Sequence, residues 1–394
     1  MARCGDGLVV GPDLVAAADS AAARATAALD GRTPDLACVF VSGGDPDEAA
    51  AALERAAART GAPATLGSTA SGVIGDGRAV EAGSGVSVWA AALPGVRLRA
   101  FHLEVLRTPE SLAVVGMPPQ SDADVAAVLL ADPWSFPADG FVAQTNDALP
   151  GLPIVGGLAG GPGGSGSTRL LVDGKTVDRG AVGVVLSGQR SVRAVVSQGC
   201  RPIGPPMTVT SAEGNVVLAL AGVPALDKLR EIVTELPPEE QALATQGLQV
   251  GVAIDEYAEE HQQGDFLVRG IVGADAESGG IAVGDLVEVG RTVQFQVRDA
   301  AAASTDLAAT LGGFRRQAGL DPVDGVLLFS CNGRGATLFP AADHDVLAVR
   351  RYLSTRGVAG CFAAGEIGPV GGQNHLHGFS ASMLVVGSPA PEPA

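Results

Sequence analysis

The residue types able to do chemistry gather in one stretch of the chain, Val326 to Met383. Two apolar runs there end in polar, glycine-containing loops, Ser330-Cys-Asn-Gly-Arg-Gly335 and Gly365-Glu-Ile-Gly-Pro369, and Asn374-His-Leu-His377 follows. A thiol beside a guanidinium has a depressed pKa and therefore more thiolate, so if the chain is an enzyme Cys331 next to Arg334 is its nucleophile, with His375 or His377 as the base. The competing reading of Cys331 is a small residue at a tight strand end. Glu366 lies between glycine and isoleucine at a strand end, where a buried carboxylate must be paired or hydrogen-bonded. Arg334 is the natural partner, and its planar fork suits either that carboxylate or one brought by a ligand. Both pairings stay open.

Taken as a binding site, the same residues form a pocket rimmed by Cys331, Asn332 and Arg334, by Gly365 and Glu366, and by Asn374, His375 and His377. Arg334 would take a ligand carboxylate and Glu366 an amino group. Ser68 and Thr69 offer hydroxyls at another strand end, a position where ligands sit in α/β folds. The two histidines share a face of an extended strand. A metal site needs three or four donors, and only Glu366, His344 or Cys331 could complete one, so no metal and no cofactor is expected. The glycine-rich run Gly160 to Ser167 lacks the lysine of a phosphate-binding loop and reads as a hairpin tip.

The elements that must position these groups recur along the chain. Val326–Ser330 reads as a buried strand, and His344–Leu353 as a helix closed by Gly357, with acids at its start and arginines further on. Val358–Ile367 and Gly378–Val386 read as two more strands. The same order appears in Leu36–Ser42, an alanine-rich helix ending near Gly61, Ala64–Ala70 and Gly85–Leu93. It appears again from Ser111–Gly116, through helix-compatible segments at Asp122–Leu130 and Gly140–Leu149, to Pro153–Gly157 and Gly180–Leu186. In every copy the second strand ends in a glycine-containing loop, at Gly67, at Gly156-Gly157 or at Gly365. The pattern predicts an α/β (α+β) fold of mixed sheets with helices packed on them, built from repeated β-α-β-β units. Between the second and third copies the chain is rich in strands, with glycine and proline turns. A boundary near Gly222 divides it into two tandem domains, 1–222 and 223–388, with 389–394 a disordered, proline-rich tail.

The segment Gly264 to Val386 resembles the C-terminal domain of the FIST family (F-box and intracellular signal transduction proteins). The resemblance rests on Phe266-Leu-Val-Arg269, Gly290-Arg-Thr-Val-Gln-Phe-Gln-Val-Arg-Asp299, Leu328-Phe-Ser-Cys-Asn-Gly-Arg-Gly335, Gly365-Glu-Ile-Gly-Pro369 and Asn374-His-Leu-His-Gly378. Gly67-Ser-Thr-Ala70 and Pro153-Ile-Val-Gly-Gly-Leu-Ala-Gly160 extend it more weakly to the family's N-terminal domain. The resemblance implies a bacterial sensory protein that binds small molecules such as amino acids, without established catalysis. It assigns no role to any single residue.

Composition bounds these readings. A chain of 394 residues accommodates two or three domains, and 46% apolar residues with 55 glycines mark it as globular. Aromatic residues are 4% of the total, so its cores are built from Val, Leu and Ala. A net charge of -17 opposes nucleic acid and anionic membranes as partners. The five scattered cysteines have no Cys-x-x-Cys spacing and no pairing framework. With no secretory signal and no stretch long enough to span a bilayer, the expected location is the cytoplasm. Three functions remain: a small-ligand sensor acting through a separate signalling partner or a homo-oligomer, a cysteine-dependent amide hydrolase, and a protein-binding scaffold.

Overall fold

The computed structural model describes residues 3–108, 112–161, 163–188, 191–258, 261, 264–317 and 320–389. The chain folds into two compact units, one of Met1–Val196, Leu307–Leu376 and Ser380–Ala394, the other of Ser197–Asp306 and His377–Phe379. This division differs from the stretches 1–222 and 223–388 expected from sequence, because the third β-α-β-β copy joins the first two across a long insertion. Pro389 closes the last strand, and the rest of the expected tail lies outside the described residues.

The first unit is three copies of one plan. Copy one runs β1 (Arg3–Val10), α1 (Leu14–Ala27), β2 (Leu36–Ser42), α2 (Pro46–Thr60), β3 (Ala64–Thr69), the hairpin β4 (Gly72–Gly75) and β5 (Arg78–Val80), and β6 (Gly85–Ala92). Copy two has β7 (Val96–Arg107), β8 (Leu112–Val115), β9 (Asp124–Ala131), α3 (Ala138–Ala148), β10 (Ile154–Leu158), the hairpin β11 (Leu170–Val172) and β12 (Lys175–Val177), and β13 (Ala181–Gly188). Strand β14 (Ser191–Gln198) opens copy three.

The second unit follows, with β15 (Cys200–Pro202), β16 (Met207–Glu213), β17 (Val216–Leu220), β18 (Val223–Pro224), α4 (Ala225–Glu235), α5 (Pro238–Gly247), β19 (Leu248–Ala253), β20 (Phe266–Asp275), β21 (Gly280–Val283) and β22 (Thr292–Arg298). Its strands pair in the cycle β22-β16-β17-β21-β20-β19-β22, which closes a small barrel. Val209, Ile281, Val293 and Phe295 belong to its core. The space left among the core side chains is about 10 Å³, roughly one water. Glu256 accepts the backbone N–H of Thr292.

Helix α6 (Ala300–Gln317) leads back to copy three, which continues with β23 (Leu320–Cys331), α7 (His344–Leu353), β24 (Val358–Ala363), the hairpin β25 (Glu366–Val370) and β26 (Gln373–His377), and β27 (Ser380–Pro389). In each copy two parallel strands flank a crossover helix, β2 with β3, β9 with β10 and β23 with β24. The fourth strand, β6, β13 or β27, returns antiparallel beside the first of the pair. The hairpins are exchanged. That of copy two adds to β3 of copy one, that of copy three to β10 of copy two, and that of copy one to β24 of copy three. The three copies thus close a ring in which each completes the sheet of another.

Each of these sheets is covered on both faces. The inner faces share one core, where Phe40 and Trp89 of copy one meet Val128 and Leu130 of copy two and Leu327 and Phe329 of copy three. The outer faces pack on α1 and α2, on α3, and on α7 with the second half of α6. Double coverage explains why β2 is buried at every position and reads as a continuous apolar run. It also explains an expectation that fails: Asp122–Leu130 suits a helix by sequence but forms β9, since a continuous apolar run has no period that separates buried strand from buried helix. Ser111–Gly116 is not the first strand of its copy. Its described part is the edge strand β8, paired to the long β7. Helix α7 ends at Leu353 rather than Gly357, with Ser354 in the left-handed conformation at φ 52°.

Candidate functional site

Chain order places β23 and β24 with their carboxyl ends side by side, Cys331 level with Ala363. The loop after β23 is tied down by its backbone: Asn332 N donates to Ala363 O at 2.9 Å and Arg334 N to Cys331 O at 2.8 Å. Glu81 of copy one braces it from outside through Ala336 N, 2.6 Å. Glu366 arrives on β25, hydrogen-bonded into the sheet of copy two opposite Gly157. The polar cluster therefore stands where the sheets of copies two and three meet.

Arg334 is fully buried, and its partner is Asp345 in the first turn of α7. Arg334 Nε donates to Asp345 Oδ2 at 2.8 Å and Nη2 to Oδ1 at 3.0 Å. Ser330 Oγ donates to the same carboxylate at 2.7 Å, and His344 Nδ1 lies 2.9 Å from Oδ1. Burial works to raise the Asp345 pKa, but Arg334, His344 and Ser330 overcome it and hold the group well below the usual carboxylate range. Phe339 stacks on His344 at 3.6 Å and lies beneath the guanidinium, 5.4 Å from its ring centre. Arg334, expected to face Glu366 or a ligand carboxylate, gives its fork to Asp345, while its charge also attracts Glu366. Nothing in sequence distinguished Asp345 from an ordinary acid at a helix start.

Glu366 is also fully buried. Its Oε2 accepts from Ser380 N at 3.0 Å and Ser380 Oγ at 2.8 Å, while Oε1 has no nitrogen or hydroxyl donor. Burial pushes its pKa up to about 8, against the opposing pull of Ser380, Cys331 and Arg334. Cys331 stands beside it, with the Gly333 N–H 3.5 Å from its sulfur. Cys331, Arg334 and Glu366 are thus brought together as expected, with Ser330, Asp345 and Ser380 added. Ser380 carried no sequence signal beyond its place at the start of a strand.

The other expected residues do different work. Asn374 is buried and clamps the exchanged hairpin to copy two, its Oδ1 accepting from Ile154 N at 2.9 Å and its Nδ2 donating to Leu152 O at 2.9 Å. Gly365 O accepts from Leu158 N at 2.8 Å. Asn332 is exposed. His375 and His377 fall in different compact units. Among the described residues no group of His, Cys, Asp and Glu is arranged to hold a metal ion.

Ser68 and Thr69 lie at the corresponding end of copy one. Ser68 is buried with Oγ unpartnered, while Thr69 Oγ1 accepts from Arg169 N at 3.1 Å. Thr69 lines a pocket of about 250 Å³ with Val41, Gly44, Asp45, Gly163 and Ser167. Gly43 and Gly44, both at positive φ, turn the chain from β2 into α2. Asp45 caps α2 through Oδ1, which accepts from Asp47 N at 2.8 Å and Glu48 N at 2.9 Å. The glycine-rich run read as a hairpin tip forms one wall of this pocket.

Fold and sites together define an α/β protein with a threefold ring of β-α-β-β copies, carrying polar groups at the carboxyl ends of its parallel strands. The chain belongs to the FIST family: the FIST N domain model matches residues 35–223 and the FIST C domain model residues 225–369. FIST domains are sensory domains of signal transduction. The chain is 44% identical over 383 residues to an uncharacterized protein of Mycobacterium tuberculosis, covering 97% of this chain and 99% of the relative. It is 42% identical over 385 residues to an uncharacterized protein of Mycobacterium bovis, covering 97% and 98%. No helix among the described residues is long and apolar enough to cross a membrane.

Proposed function

We propose that the protein is a cytoplasmic sensor of a small, amino-acid-sized molecule, held at the carboxyl ends of β2 and β3. The observation that carries this reading is the pocket of about 250 Å³ lined by Asp45, Thr69 and Ser167. Asp45 lends only Oδ1 to the helix cap, which leaves Oδ2 for a ligand ammonium. Thr69 and Ser167 offer hydroxyls to a ligand carboxylate. Arg334 is not used, because it is committed to Asp345. In this reading, output passes to a separate partner or through self-association.

A thermal-shift screen of the whole chain against amino acids and small carboxylates tests the reading. At about 100 times Kd a ligand adds roughly 2.7 kcal/mol to stability, and a few related compounds should raise Tm by several degrees. Ala49 lines the pocket and is 2% exposed, so Ala49→Leu fills the space. That variant should lose the ligand shift while still melting cooperatively. Equal stabilisation of Ala49→Leu and wild type would remove the pocket from consideration.

A further inference from the structure

A ligand seated in copy one leaves unused the least expected group in the molecule, the carboxyl of Glu366. A buried carboxyl oxygen normally finds a donor, yet Glu366 Oε1 has no nitrogen or hydroxyl donor. Its reactive neighbour is Cys331, whose thiol shares a hydrogen bond with the carboxylate and whose sulfur faces the Gly333 N–H. Cys331 ends β23 and retains 8% of its surface, and the next residue, Asn332, is exposed. Cys38 and Cys361 differ, because both sit deep in the shared core, where burial raises their pKa and disfavours the thiolate.

We propose that Cys331 is a nucleophile that takes an acyl group from a small ester or amide, with Glu366 moving the proton. The thiol proton passes to the Glu366 carboxylate as sulfur attacks the acyl carbon. A C–S bond forms, the C–O or C–N bond to the leaving group breaks, and the leaving group departs with the proton from Glu366. Water then attacks the thioester: Glu366 takes its proton, the C–S bond breaks, the acid leaves, and the proton returns to sulfur. Atoms and charge balance without an oxidant or reductant.

The surroundings suit these steps. A proton carrier works best with a pKa near the operating pH, and burial brings Glu366 into that range at about 8. The groups facing the pair are Ser380, Cys361 and Arg334, with Asp345 and His344 behind the guanidinium. Arg334 is attracted to both Cys331 and Glu366 and favours the ionised form of whichever holds the negative charge. Asp345 fixes its position and makes it a positioning residue. This activity stands apart from ligand sensing in copy one, which either result below leaves untouched.

The test uses the purified full chain with 4-nitrophenyl acetate. The expected result is a burst of one nitrophenolate per chain, with the acetyl group mapped by peptide mass spectrometry to Cys331. Acylation should be faster than that of free cysteine at the same pH, and its rate should climb through the pH range near 8 where the pair titrates. Glu366→Gln should slow acylation roughly 100-fold, and Cys331→Ala should abolish the burst. Mapping and the rate comparison need no variant, so they decide the matter even where a variant folds poorly. No burst, an acetyl group on another residue, a rate no faster than free cysteine, or an undiminished rate in folded Glu366→Gln would overturn the proposal.

Discussion

The two buried carboxylates of copy three, Asp345 and Glu366, are held in opposite states by their partners. Asp345 has a bidentate guanidinium and stays ionised, whereas Glu366 has only a serine and a thiol in direct contact and favours its proton. Their effects on stability therefore have opposite signs. Asp345, held below its ordinary 3.8, contributes above that pH and loses its contribution on acidification below it. Glu366, raised from 4.5 to about 8, binds its proton more tightly folded than unfolded, so its effect on stability is most favourable below pH 4.5 and is lost as pH rises to about 8. That loss is on the order of a few kcal/mol. Asp6, raised by burial to about 6, adds a loss of the same sign at lower pH, so the informative window lies above 6. Between pH 6 and 8.5 the Tm of wild type should fall relative to that of Glu366→Gln by several degrees. Parallel curves for the two proteins in that window would show that Glu366 does not titrate there. Sequence marked Arg334, Cys331 and Glu366 as a group because each is chemically conspicuous. It could not pair them, since the choice of Asp345 depends on the direction in which α7 leaves its loop.

At the level of elements, each copy places a glycine on its second parallel strand against a carbonyl of the first. A Cβ added to Gly67, Gly156 or Gly360 would collide with the carbonyl oxygen of Val39, Leu129 or Leu328, respectively. The glycines seen in sequence at the end of each second strand were thus partly legible, Gly67 and Gly156 among them, but their reason was not a loop. They let paired strands approach closely inside a sheet covered on both faces. Gly360→Ala should destabilise the protein by at least about 1–3 kcal/mol, the usual cost of overpacking, because the obstacle is backbone and not a side chain that can rotate away. Equilibrium urea denaturation would measure it, and an unchanged midpoint would show that the strands can separate. Most strands and helices of the three copies were legible from apolar runs and caps. The exchanged hairpins were not: β4, β11 and β25 are short, and each pairs with a strand from a different copy.

The hairpin exchange governs how the first compact unit can fold. Residues 1–196 contain two full copies, and by sequence a stretch ending near 222 reads as a complete domain. In the structure, however, β4 pairs with β24, and β10 accepts β25, so both interactions require copy three. The core shared by the copies draws Leu327, Phe329, Ala359 and Leu384 from copy three, and Trp89 Nε1 donates to Gly357 O at 3.1 Å. Without that copy, fully buried Phe40 loses the edge-on ring of Phe329, 5.9 Å away, and large apolar surfaces face water. Each buried Leu or Phe side chain lost to solvent forfeits roughly 1.5–3 kcal/mol, so exposing even a few of them consumes much of the roughly 5–15 kcal/mol by which ordinary domains are stable. A fragment of residues 1–196 should therefore show no cooperative thermal transition and should aggregate. Adding residues 307–394 as a separate chain should restore a cooperative melt, because the exchanged hairpins supply pairing without chain continuity. A fragment 1–196 that melts cooperatively alone would mean that two copies can close a core without the third, and the ring would then be an assembly of independent modules.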